Sequence, residues 1–287
     1  MYLEDSKKNI SDFFSDKSDY WVNLYENDDH PSSFMRYELI SRKKTIFNLF
    51  DILITEKNRT VLDIGCGIGN YLEELYKKGH LINGIDISEN MLRTSKERLK
   101  KYISVPPLCR TDIENLPFPD NKFDVVFCVG VLEYLESDEK ALEQISRVLK
   151  PGGLLFLTLP NILSIRNFLD PYYLLNKGWK FLYKRVVRKK TKPRKDFKLK
   201  DIALNTEFTN RRYTLNQVDP IFNQNNLKVL KKLSVAFGPP RFWLKDYITL
   251  KTNITISDFL IRQSNRKSFS FLKKLANRWV ICVRKED

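Results

Sequence analysis

Long apolar runs are missing from this sequence of 287 residues. No stretch of 18 apolar residues occurs, and the longest candidate, residues 154–165, is interrupted by Pro160 and Asn161. Since a helix needs about 20 mostly apolar residues to span a bilayer, the sequence predicts no transmembrane segment. The first 19 residues are polar and charged, so we expect no secretory signal there.

Cysteine and histidine are also scarce, with four and two residues. The cysteines fall in or beside predicted core strands and have no paired metal-ligand spacing: Cys66, Cys109, Cys128 and Cys282. A reduced, cytoplasmic protein accounts for this pattern most simply. Because no metal-ligand cluster of recognisable spacing is present, we expect no metal cofactor.

Basic residues, by contrast, are in excess, and they are concentrated in one half of the chain. The formal net charge is +15 at pH 7. Residues 1–160 contain 21 basic and 26 acidic residues, whereas residues 161–287 contain 29 and 9. So uneven a distribution indicates an anionic partner for the second half, namely phosphate, a phospholipid surface or nucleic acid. A merely solvated basic surface is the alternative.

A short apolar run followed by regularly spaced glycines marks the centre of the sequence. Residues 61–64 are typical of a strand buried on both faces of a parallel sheet. Every second position after them is a glycine: Gly65, Gly67 and Gly69. A helical pattern begins at Asn70, which we expect to cap that helix with Glu73 as its reciprocal partner. A strand, a glycine turn and a helix in this order expose backbone N–H groups and a positive helix end to a ligand.

The spacing of the glycines narrows the choice of ligand. The loop reads G-x-G-x-G, whereas a dinucleotide fingerprint reads G-x-G-x-x-G. The lysine and the Ser/Thr of a phosphate-binding P-loop are absent, which argues against a nucleoside triphosphate. Two carboxylates near the loop are candidates for contacts with the ligand. Asp63 lies within the first strand, and Asp86 ends the next apolar run, where a carboxylate could hold a ribose diol.

Residues 61–67, with the sequence V-L-D-I-G-C-G, resemble the first motif of the class I S-adenosylmethionine-dependent methyltransferases. The likeness continues in the same order through residues 84–88, 112–118, 123–126 and 149–153. Five ordered motifs over roughly residues 58–160 are far more specific than one glycine loop. The resemblance implies an α/β, Rossmann-like fold with a seven-stranded, mostly parallel sheet. Its implied strand order is 3-2-1-4-5-7-6, with the last strand antiparallel and helices on both faces.

The same resemblance implies the cofactor and its contacts. S-adenosyl-L-methionine would be the methyl donor and S-adenosyl-L-homocysteine the product. Asp86 would accept both ribose hydroxyls, and Asp112 would accept the exocyclic amine of the adenine. The adenine ring would lie between Ile87 and Ile113. The cofactor-binding candidates in the core are Asp63, Gly65, Cys66, Gly67, Gly69, Asp86, Ile87, Asp112, Ile113, Val129 and Gly130.

The sequence pattern of residues 1–55 predicts an N-terminal helical cap. It contains an aromatic face and a longer amphipathic run over residues 34–53. In the resembling family, such helices close over the cofactor and one wall of the substrate pocket. The candidates for pocket residues are therefore Tyr20, Trp21, Tyr25 and Arg36. Arg36 could pair with the methionine carboxylate of the cofactor. The alternative is that the aromatic residues form core and that Arg36 lies on the surface.

Two insertions follow the expected cofactor-binding core of residues 56–160. Residues 161–210 carry a basic, amphipathic helical pattern. This pattern predicts a lid over the pocket, a lid that also contacts an anionic membrane, or a contact with nucleic acid. Residues 211–287 complete the sheet and contain a second insertion at about residues 238–277, which is long for a hairpin connection.

Few residues suit general acid–base chemistry. Tyr134 occupies a position where many members of the resembling family carry histidine. It is a candidate for the pocket wall or for a partner of the acceptor hydroxyl. His30 is the second catalytic candidate, since its loop could reach the pocket. His80 lies away from the predicted mouth, and we expect it on the surface.

These observations support three functional hypotheses. The first is a methyltransferase for a small molecule, with O-methylation of a metabolite, glycan precursor or lipid-linked intermediate favoured. The basic insertion favours an anionic or prenylated acceptor, with peripheral contact at the inner face of a membrane. The second is an RNA methyltransferase that uses the basic half as a phosphate track, although no RNA-binding module is recognisable. The third is a catalytically silent cofactor-binding scaffold.

Overall fold

Three helices precede the sheet in the computed structural model, which describes residues 2–25, 31–165, 211–239, 241–242, 245–246 and 248–287. They are α1 (Tyr2–Asp16), α2 (Ser18–Tyr25) and α3 (Phe34–Leu53). The hydroxyl of Ser33 accepts a hydrogen bond from the N–H of Arg36 and caps α3. The longest of these helices therefore begins where its amphipathic pattern begins.

Strands and helices then alternate, as the motifs predict. The strands are β1 (Thr60–Ile64), β2 (Leu81–Asp86), β3 (Leu108–Arg110), β4 (Phe123–Cys128) and β5 (Leu149–Pro160). The helices between them are α4 (Asn70–Lys77), α5 (Glu89–Lys100) and α6 (Glu139–Val148). The second half contributes α7 (Val218–Asn223), β6 (Leu227–Val235), α8 (Leu250–Ser264) and β7 (Arg278–Lys285). Among the helices of the described ranges, none is long and apolar enough to cross a bilayer.

The seven strands form one sheet of order β3-β2-β1-β4-β5-β7-β6. β1 lies parallel to both β2 and β4, with Val61 opposite Ile82 on one side and Val125 on the other. β7 runs antiparallel between β5 and β6. The predicted strand order and the antiparallel last strand are confirmed. Because helices cover both faces, the central strands are largely apolar.

Apolar layers on the two faces of the sheet hold the helices in place. On one face, the ring of Phe50 in α3 lies 5.7 Å from the rings of both Phe127 and Phe156. On the other face, Ile145 and Val148 of α6 are buried in the core. Thus α3 packs directly on the sheet, and this packing brings its N-terminal half beside the ends of the strands.

The second insertion contains regular structure. It holds a short hairpin, α8 and a 3-10 helix, with the hairpin formed by Arg241–Phe242 and Lys245–Asp246 and the 3-10 helix by Lys267–Leu275. Tyr37 of α3 anchors α8, because its hydroxyl lies 3.0 Å from Ser257 Oγ and 2.6 Å from Asp258 Oδ1. The insertion is therefore tied to the same helix that packs on the sheet.

The helix after the glycine loop is not capped as the sequence suggested. Gly69, with a φ of 83°, occupies the N-cap position, and Asn70 is the first helical residue. The Glu73 carboxylate does not reach back to the cap, because it binds Arg98 at 3.1 Å and Tyr102 at 3.0 Å. A glycine in the left-handed region replaces the expected capping box.

The expectation that His80 lies on the surface was wrong as well. His80 is buried, and the edge of its ring meets the ring of Phe50 at 5.2 Å between centroids. The chain that enters β2 is paired with the chain that enters β1, since Leu81 N–H donates to the carbonyl of Arg59. This pairing holds His80 under α3, where burial lowers its pKa.

Candidate functional site

A cavity of about 290 Å³ opens at the carboxyl ends of β1, β2 and β4. The strand order reverses at β1, and open α/β sheets bind ligands at such a point. The helices α1, α2 and α3 form the opposite wall, with Ile10, Phe14, Trp21 and Leu39 among the lining residues. The cavity is therefore enclosed between the glycine loop and the N-terminal helices.

The glycine loop lets a ligand approach the backbone closely. Gly65 and Gly67 have positive φ values of 67° and 52°. A Cβ at Gly65 would lie 2.4 Å from Cγ2 of Val131, whereas a Cβ at Gly67 would meet no atom within 4 Å. Gly67 lines the cavity. The absent side chain at Gly67 thus leaves open space beside the backbone.

Three backbone N–H groups of the loop donate hydrogen bonds within the protein, whereas the sequence predicted that the loop's N–H groups face a ligand. Gly67 N–H donates to Asp86 Oδ2 at 2.8 Å. Cys66 N–H donates to the carbonyl of Ile85, and Gly69 N–H donates to the carbonyl of Cys66, both at 2.9 Å. The reason is that the loop folds back on the end of β2, where acceptors are available. It offers close approach at these residues rather than free N–H groups.

Asp86 joins this loop to the cavity. Its Oδ1 accepts a hydrogen bond from Ser88 N–H at 2.9 Å, and its Oδ2 accepts the bond from Gly67. Burial raises the pKa of Asp86, and these two hydrogen bonds oppose the shift. Each carboxylate oxygen keeps a further lone pair. Asp86 could therefore accept two ligand hydroxyls while it holds the loop.

Asp63 lies in β1 beneath the loop and lines the cavity. It is buried, and its Oδ2 has no hydrogen-bond partner in the described part of the chain. Burial, and to a smaller extent the charge of Asp86, raise the pKa of Asp63 well above its usual range. A buried carboxyl oxygen without a partner costs free energy, so a ligand amine or a water molecule would satisfy it.

The helix α1 closes one end of the cavity. The ammonium group of Lys7 contacts the carboxylate of Asp112. Ser11 Oγ donates a hydrogen bond to the carbonyl of Ile87 at 3.2 Å. Ile87 and Ile113 both line the cavity. The first helix is thus held across the ends of β2 and β3, above the two isoleucines.

A buried group of charges forms the other end. Glu133 Oε1 accepts a hydrogen bond from Arg278 Nη1 at 2.7 Å, and Glu38 Oε1 lies 3.5 Å from Arg278 Nε. Arg42 Nη2 donates to the hydroxyl of Tyr25 at 2.8 Å. The second oxygen of Glu133 has no hydrogen-bond partner among the described residues. This end offers a ligand both a carboxylate oxygen and a guanidinium group.

Tyr134 belongs to the 3-10 helix at residues 132–134 and forms part of the cavity wall. Its ring meets that of Phe14 edge to face, with 5.3 Å between centroids. Burial raises the pKa of Tyr134, and the charge of Glu133 adds to the shift. The phenol therefore stays protonated at neutral pH and can donate a hydrogen bond, but it is a poor candidate for a base.

On α3 the arginine that lines the cavity is Arg42 rather than Arg36. The lining residues of this helix are Met35, Glu38, Leu39 and Arg42. They follow the i, i+3, i+4, i+7 spacing of one helical face, and Arg36 lies outside that face. Arg36 is buried, and its Nε and Nη2 atoms have no hydrogen-bond partner among the described residues. The helical period was the signal in the sequence that could have identified Arg42.

The cavity brings together most of the predicted site residues. Those that line it are Trp21, Tyr25, Asp63, Gly65, Cys66, Gly67, Asp86, Ile87, Asp112, Ile113, Val129, Gly130 and Tyr134. Gly69 does not, because it faces α5, where a Cβ would lie 2.5 Å from Ser95 Oγ. Tyr20 points outward, with its hydroxyl 3.4 Å from Met35 Sδ. His30 lies outside the described residues.

Sequence reasoning missed five charged residues of the lining: Lys7, Glu38, Arg42, Glu133 and Arg278. Glu133 directly precedes Tyr134 in the sequence, but no pattern there indicated a buried pair with Arg278. In the parts of the chain that the structure describes, no group of three or more His, Cys, Asp or Glu residues could hold a metal ion.

Comparisons with known proteins agree with this geometry. Residues 62–157 match a family profile described as a methyltransferase domain. The ubiquinone biosynthesis O-methyltransferase of Coxiella burnetii is 34% identical over 116 residues, which is 40% of this chain and 47% of the relative. The C-methyltransferase UbiE of Cupriavidus necator, from ubiquinone and menaquinone biosynthesis, is 38% identical over 96 residues, which is 32% of this chain and 40% of the relative. The chain thus spans about half the length of these curated relatives or less.

Solved structures share the fold over nearly the whole chain. The magnesium protoporphyrin IX methyltransferase of Synechocystis PCC 6803, solved with S-adenosylhomocysteine, gives a TM-score of 0.59 at 15% identity and covers 98% of this chain and 100% of that chain. The [4+2]-cyclase SpnF gives a TM-score of 0.58 at 14% identity, and the match covers 96% of this chain and 95% of that chain. At such identities the likeness concerns the fold alone, and one of these two proteins is named for a different reaction.

Proposed function

We propose that this chain, whose residues 62–157 match a methyltransferase domain, is a class I S-adenosylmethionine-dependent methyltransferase that transfers a methyl group to a small-molecule acceptor. The observation that carries this proposal is the position of Asp86 beside the open face of Gly67 at the carboxyl edge of the sheet. A carboxylate next to a backbone without a side chain suits a ligand that has vicinal hydroxyls and must approach the chain closely.

The residues present fit S-adenosylmethionine. Asp86 has lone pairs for the ribose hydroxyls, and the unpartnered oxygen of Asp63 suits the amine of the amino-acid part. Arg42, rather than Arg36, is the residue on α3 that would hold the carboxylate. Asp112, which also lines the cavity, would accept the adenine amine. When bound, this cofactor supplies a methyl group on a sulfonium, which is transferred by in-line displacement.

For such a displacement the protein mainly has to align the reacting atoms and keep water out. The side of the cavity that faces the glycine loop is suited to this, because it is largely aromatic and apolar. Its lining includes Phe14, Trp21, Tyr25, Met35, Leu39 and Val131. These side chains enclose the space into which an acceptor would have to fit.

The described lining favours an acceptor with apolar or aromatic character over a highly anionic one. The acidic residues of the lining are Glu38, Asp63, Asp86, Asp112 and Glu133, against the basic residues Lys7, Arg42 and Arg278. The two relatives are named for the biosynthesis of ubiquinone and menaquinone, which supports a lipid-linked acceptor. The basic stretch that would favour an anionic acceptor lies mostly in residues 166–210, outside the described part of the chain.

O-methylation is the reaction that the polar groups of the cavity favour. Glu133 has a carboxylate oxygen without a hydrogen-bond partner in the described part of the chain, and the next residue, Tyr134, has a protonated phenol. A hydroxyl acceptor could donate its hydrogen bond to Glu133 and accept one from Tyr134. We therefore propose Glu133 as the group that takes up the hydroxyl proton and Tyr134 as a hydrogen-bond donor. The catalytic role of His30 stays a prediction, because this residue lies outside the described part of the chain.

We further propose a cytoplasmic location with peripheral contact to an anionic membrane, since a lipid-linked acceptor would be met there. The charge asymmetry of the chain supports this part of the proposal. The sequence assigned the contact to residues 161–210. Residues 166–210 lie outside the described part of the chain, and among the described residues the segment 250–275 exposes apolar and basic side chains that suit such a contact.

Calorimetry with the purified chain tests the cofactor assignment. The binding of S-adenosylmethionine and of S-adenosylhomocysteine should each give a measurable heat. Asp86→Ala should weaken the affinity for both compounds at least about tenfold, because charge-assisted hydrogen bonds to the ligand are lost. Absence of heat with both compounds would overturn the proposal.

A labelling experiment identifies the acceptor class. Cell extract is incubated with the chain and with cofactor that carries a labelled methyl group. We expect the label in a small molecule that partitions into organic solvent and carries the labelled methyl group in an ether linkage. Label in a ribonuclease-sensitive fraction would favour the RNA hypothesis, and cofactor binding without any labelled product would favour the silent scaffold.

A further inference from the structure

The helix α8 packs on the core along part of its surface and leaves two large apolar side chains exposed on its outer face. Its buried residues are Asn253, Ser257 and Ser264. Ile256 and Phe259, in contrast, are exposed to 42% and 53%. The half-buried Leu250, Ile254, Leu260 and Ile261 pack against the core, so Ile256 and Phe259 form a second apolar face that the described residues leave uncovered.

Polar residues on the inner face of α8 add hydrogen bonds to this apolar packing. Ser257 Oγ accepts hydrogen bonds from the Tyr37 hydroxyl at 3.0 Å and from Phe237 N–H at 2.9 Å. Asn253 Nδ2 donates to the carbonyl of Ile248 at 3.0 Å. Since these bonds fix the helix, the outward Ile256 and Phe259 have no role in the core of the protein.

The 3-10 helix that follows adds two further exposed aromatic rings. Phe269 is exposed to 44% and Phe271 to 60%, and their ring centroids lie 6.5 Å apart. Single exposed apolar residues are common on protein surfaces, but several within one short segment mark an interaction surface. We define residues 250–275 as the α8 surface.

The α8 surface is strongly basic. It contains the basic residues Lys251, Arg262, Arg266, Lys267, Lys273 and Lys274 and a single acidic residue, Asp258. The carboxylate of Asp258 accepts a hydrogen bond from Tyr37 on the inner side. Besides burial, the neighbouring Lys231 and Lys232 lower the pKa of Lys273, which reflects the crowding of positive charge at this place.

Exposed phenylalanines among lysines and arginines match the chemistry of an anionic bilayer surface. Aromatic and aliphatic side chains enter the boundary between headgroups and acyl chains, and the cations attract anionic phospholipids. We propose that the α8 surface docks this protein on a membrane that contains anionic phospholipid, with Phe259, Phe269 and Phe271 entering the interface.

The α8 surface is connected to the wall of the cavity at two points. Tyr37, which holds α8, directly precedes the cavity-lining Glu38 on α3. The 3-10 helix ends at Leu275, three residues before the cavity-lining Arg278. Docking through this surface would therefore bring the cavity wall close to the membrane. The docking proposal does not depend on the reaction that the cavity performs.

Vesicle co-sedimentation of the full chain tests the proposal. Vesicles of phosphatidylcholine with about one third phosphatidylglycerol should bind the protein at least about tenfold more tightly than vesicles of pure phosphatidylcholine, and added salt should weaken the binding. The double variant Phe259→Ala/Phe271→Ala should lose affinity for the anionic vesicles by about tenfold or more. Lys267→Glu/Lys274→Glu should lose it by a similar factor.

The matched control is Ile52→Ala/Val105→Ala, which removes two apolar side chains that are exposed to 73% and 79% outside the α8 surface. This variant should bind the vesicles within about twofold of the unmodified chain. All these side chains are exposed, so circular dichroism should show the same fold in every variant. Equal vesicle binding by the phenylalanine variant and the control would overturn the proposal. It would also be overturned if the variants lost affinity for single-stranded RNA while vesicle binding stayed the same.

Discussion

The carboxylate of Glu133 accepts a hydrogen bond of 2.7 Å from Nη1 of Arg278, although 145 residues separate the two in the sequence. Glu133 lies in the 3-10 helix after β4, and Arg278 is the first residue of β7. Arg278 also pairs with Glu38 of α3 at 3.5 Å between Nε and Oε1. Three distant parts of the chain therefore meet at one end of the cavity, and their charges compensate one another.

Removal of one charge from this buried group should destabilise the fold. We expect Glu133→Gln to lower the free energy of unfolding by about 2–4 kcal/mol, because the buried arginine loses a compensating charge. Urea denaturation monitored by circular dichroism measures this. Glu56→Gln is the matched control, since Glu56 pairs with Arg59 at the exposed surface, and it should cost about 0.5 kcal/mol or less. Equal losses in the two variants would contradict the prediction.

Two glycines with positive φ values allow the effect of backbone strain on stability to be separated from the effect of a side chain in the cavity on cofactor binding. Gly67 and Gly152 have φ values of 52° and 72°, and a Cβ at either position would meet no atom within 4 Å. Only Gly67 lines the cavity. We expect both alanine variants to lose about 1 kcal/mol of stability, because alanine is strained at positive φ.

Cofactor affinity should distinguish the two variants. Gly67→Ala should weaken the binding of S-adenosylmethionine by about tenfold or more, since a methyl group would occupy the space beside the loop. Gly152→Ala should leave it within about twofold. Calorimetry measures both constants, and similar affinities would show that the open space at Gly67 does not receive the cofactor.

The two arginines of α3 test which helical face meets the cofactor. Arg42→Gln should weaken S-adenosylmethionine binding by about tenfold or more, because a guanidinium–carboxylate pair would be lost. Arg36→Gln should change it by less than about threefold, since Arg36 does not line the cavity. Thermal unfolding checks that both variants fold. A larger loss of affinity in the Arg36 variant would contradict this prediction and would support the pairing of Arg36 with the cofactor carboxylate that the sequence suggested.

Asp124 should make the stability of the protein depend on pH in the acidic range. Burial alone would raise the pKa of Asp124, but hydrogen bonds from Thr60 and the ion pair with Lys150 lower it to about 2. Because the pKa in the folded state lies below the value of about 3.9 in the unfolded chain, the carboxylate stabilises the fold above that value. This contribution is lost as the pH falls from about 4 to about 2.

Asp124→Asn should therefore lower the free energy of unfolding by about 1–2 kcal/mol at neutral pH, with a difference from the unmodified chain that shrinks as the pH falls below about 4. Denaturation at a series of pH values measures this difference. Asp51→Asn is a control, because Asp51 pairs with Lys78 at the exposed surface, and it should cost little at any pH. A difference for Asp124→Asn that is constant over the whole range would refute the proposed role of its charge.

Local patterns in the sequence determined the α/β architecture. The apolar run at residues 61–64 and the glycines after it predicted a strand, a turn and a helix, and the structure has them. The strand order of the sheet was implied by the family resemblance of the ordered motifs, and the structure confirms it. The same patterns led to Asp86, which lies at the carboxyl edge of β2. Such features can be read from the sequence because each depends on contacts within a few residues or within one strand–helix unit.

The tertiary structure decided the features that depend on which side of an element faces which neighbour. It selected Arg42 over Arg36, placed His80 under α3 and directed the loop donors at Cys66 and Gly67 to acceptors on β2. Long-range packing sets the rotation of a helix and the partner of a buried charge, and no pattern in the sequence near either residue encodes it. The sequence alone therefore determined the frame of the candidate site, and only the folded chain determined the side chains that fill it.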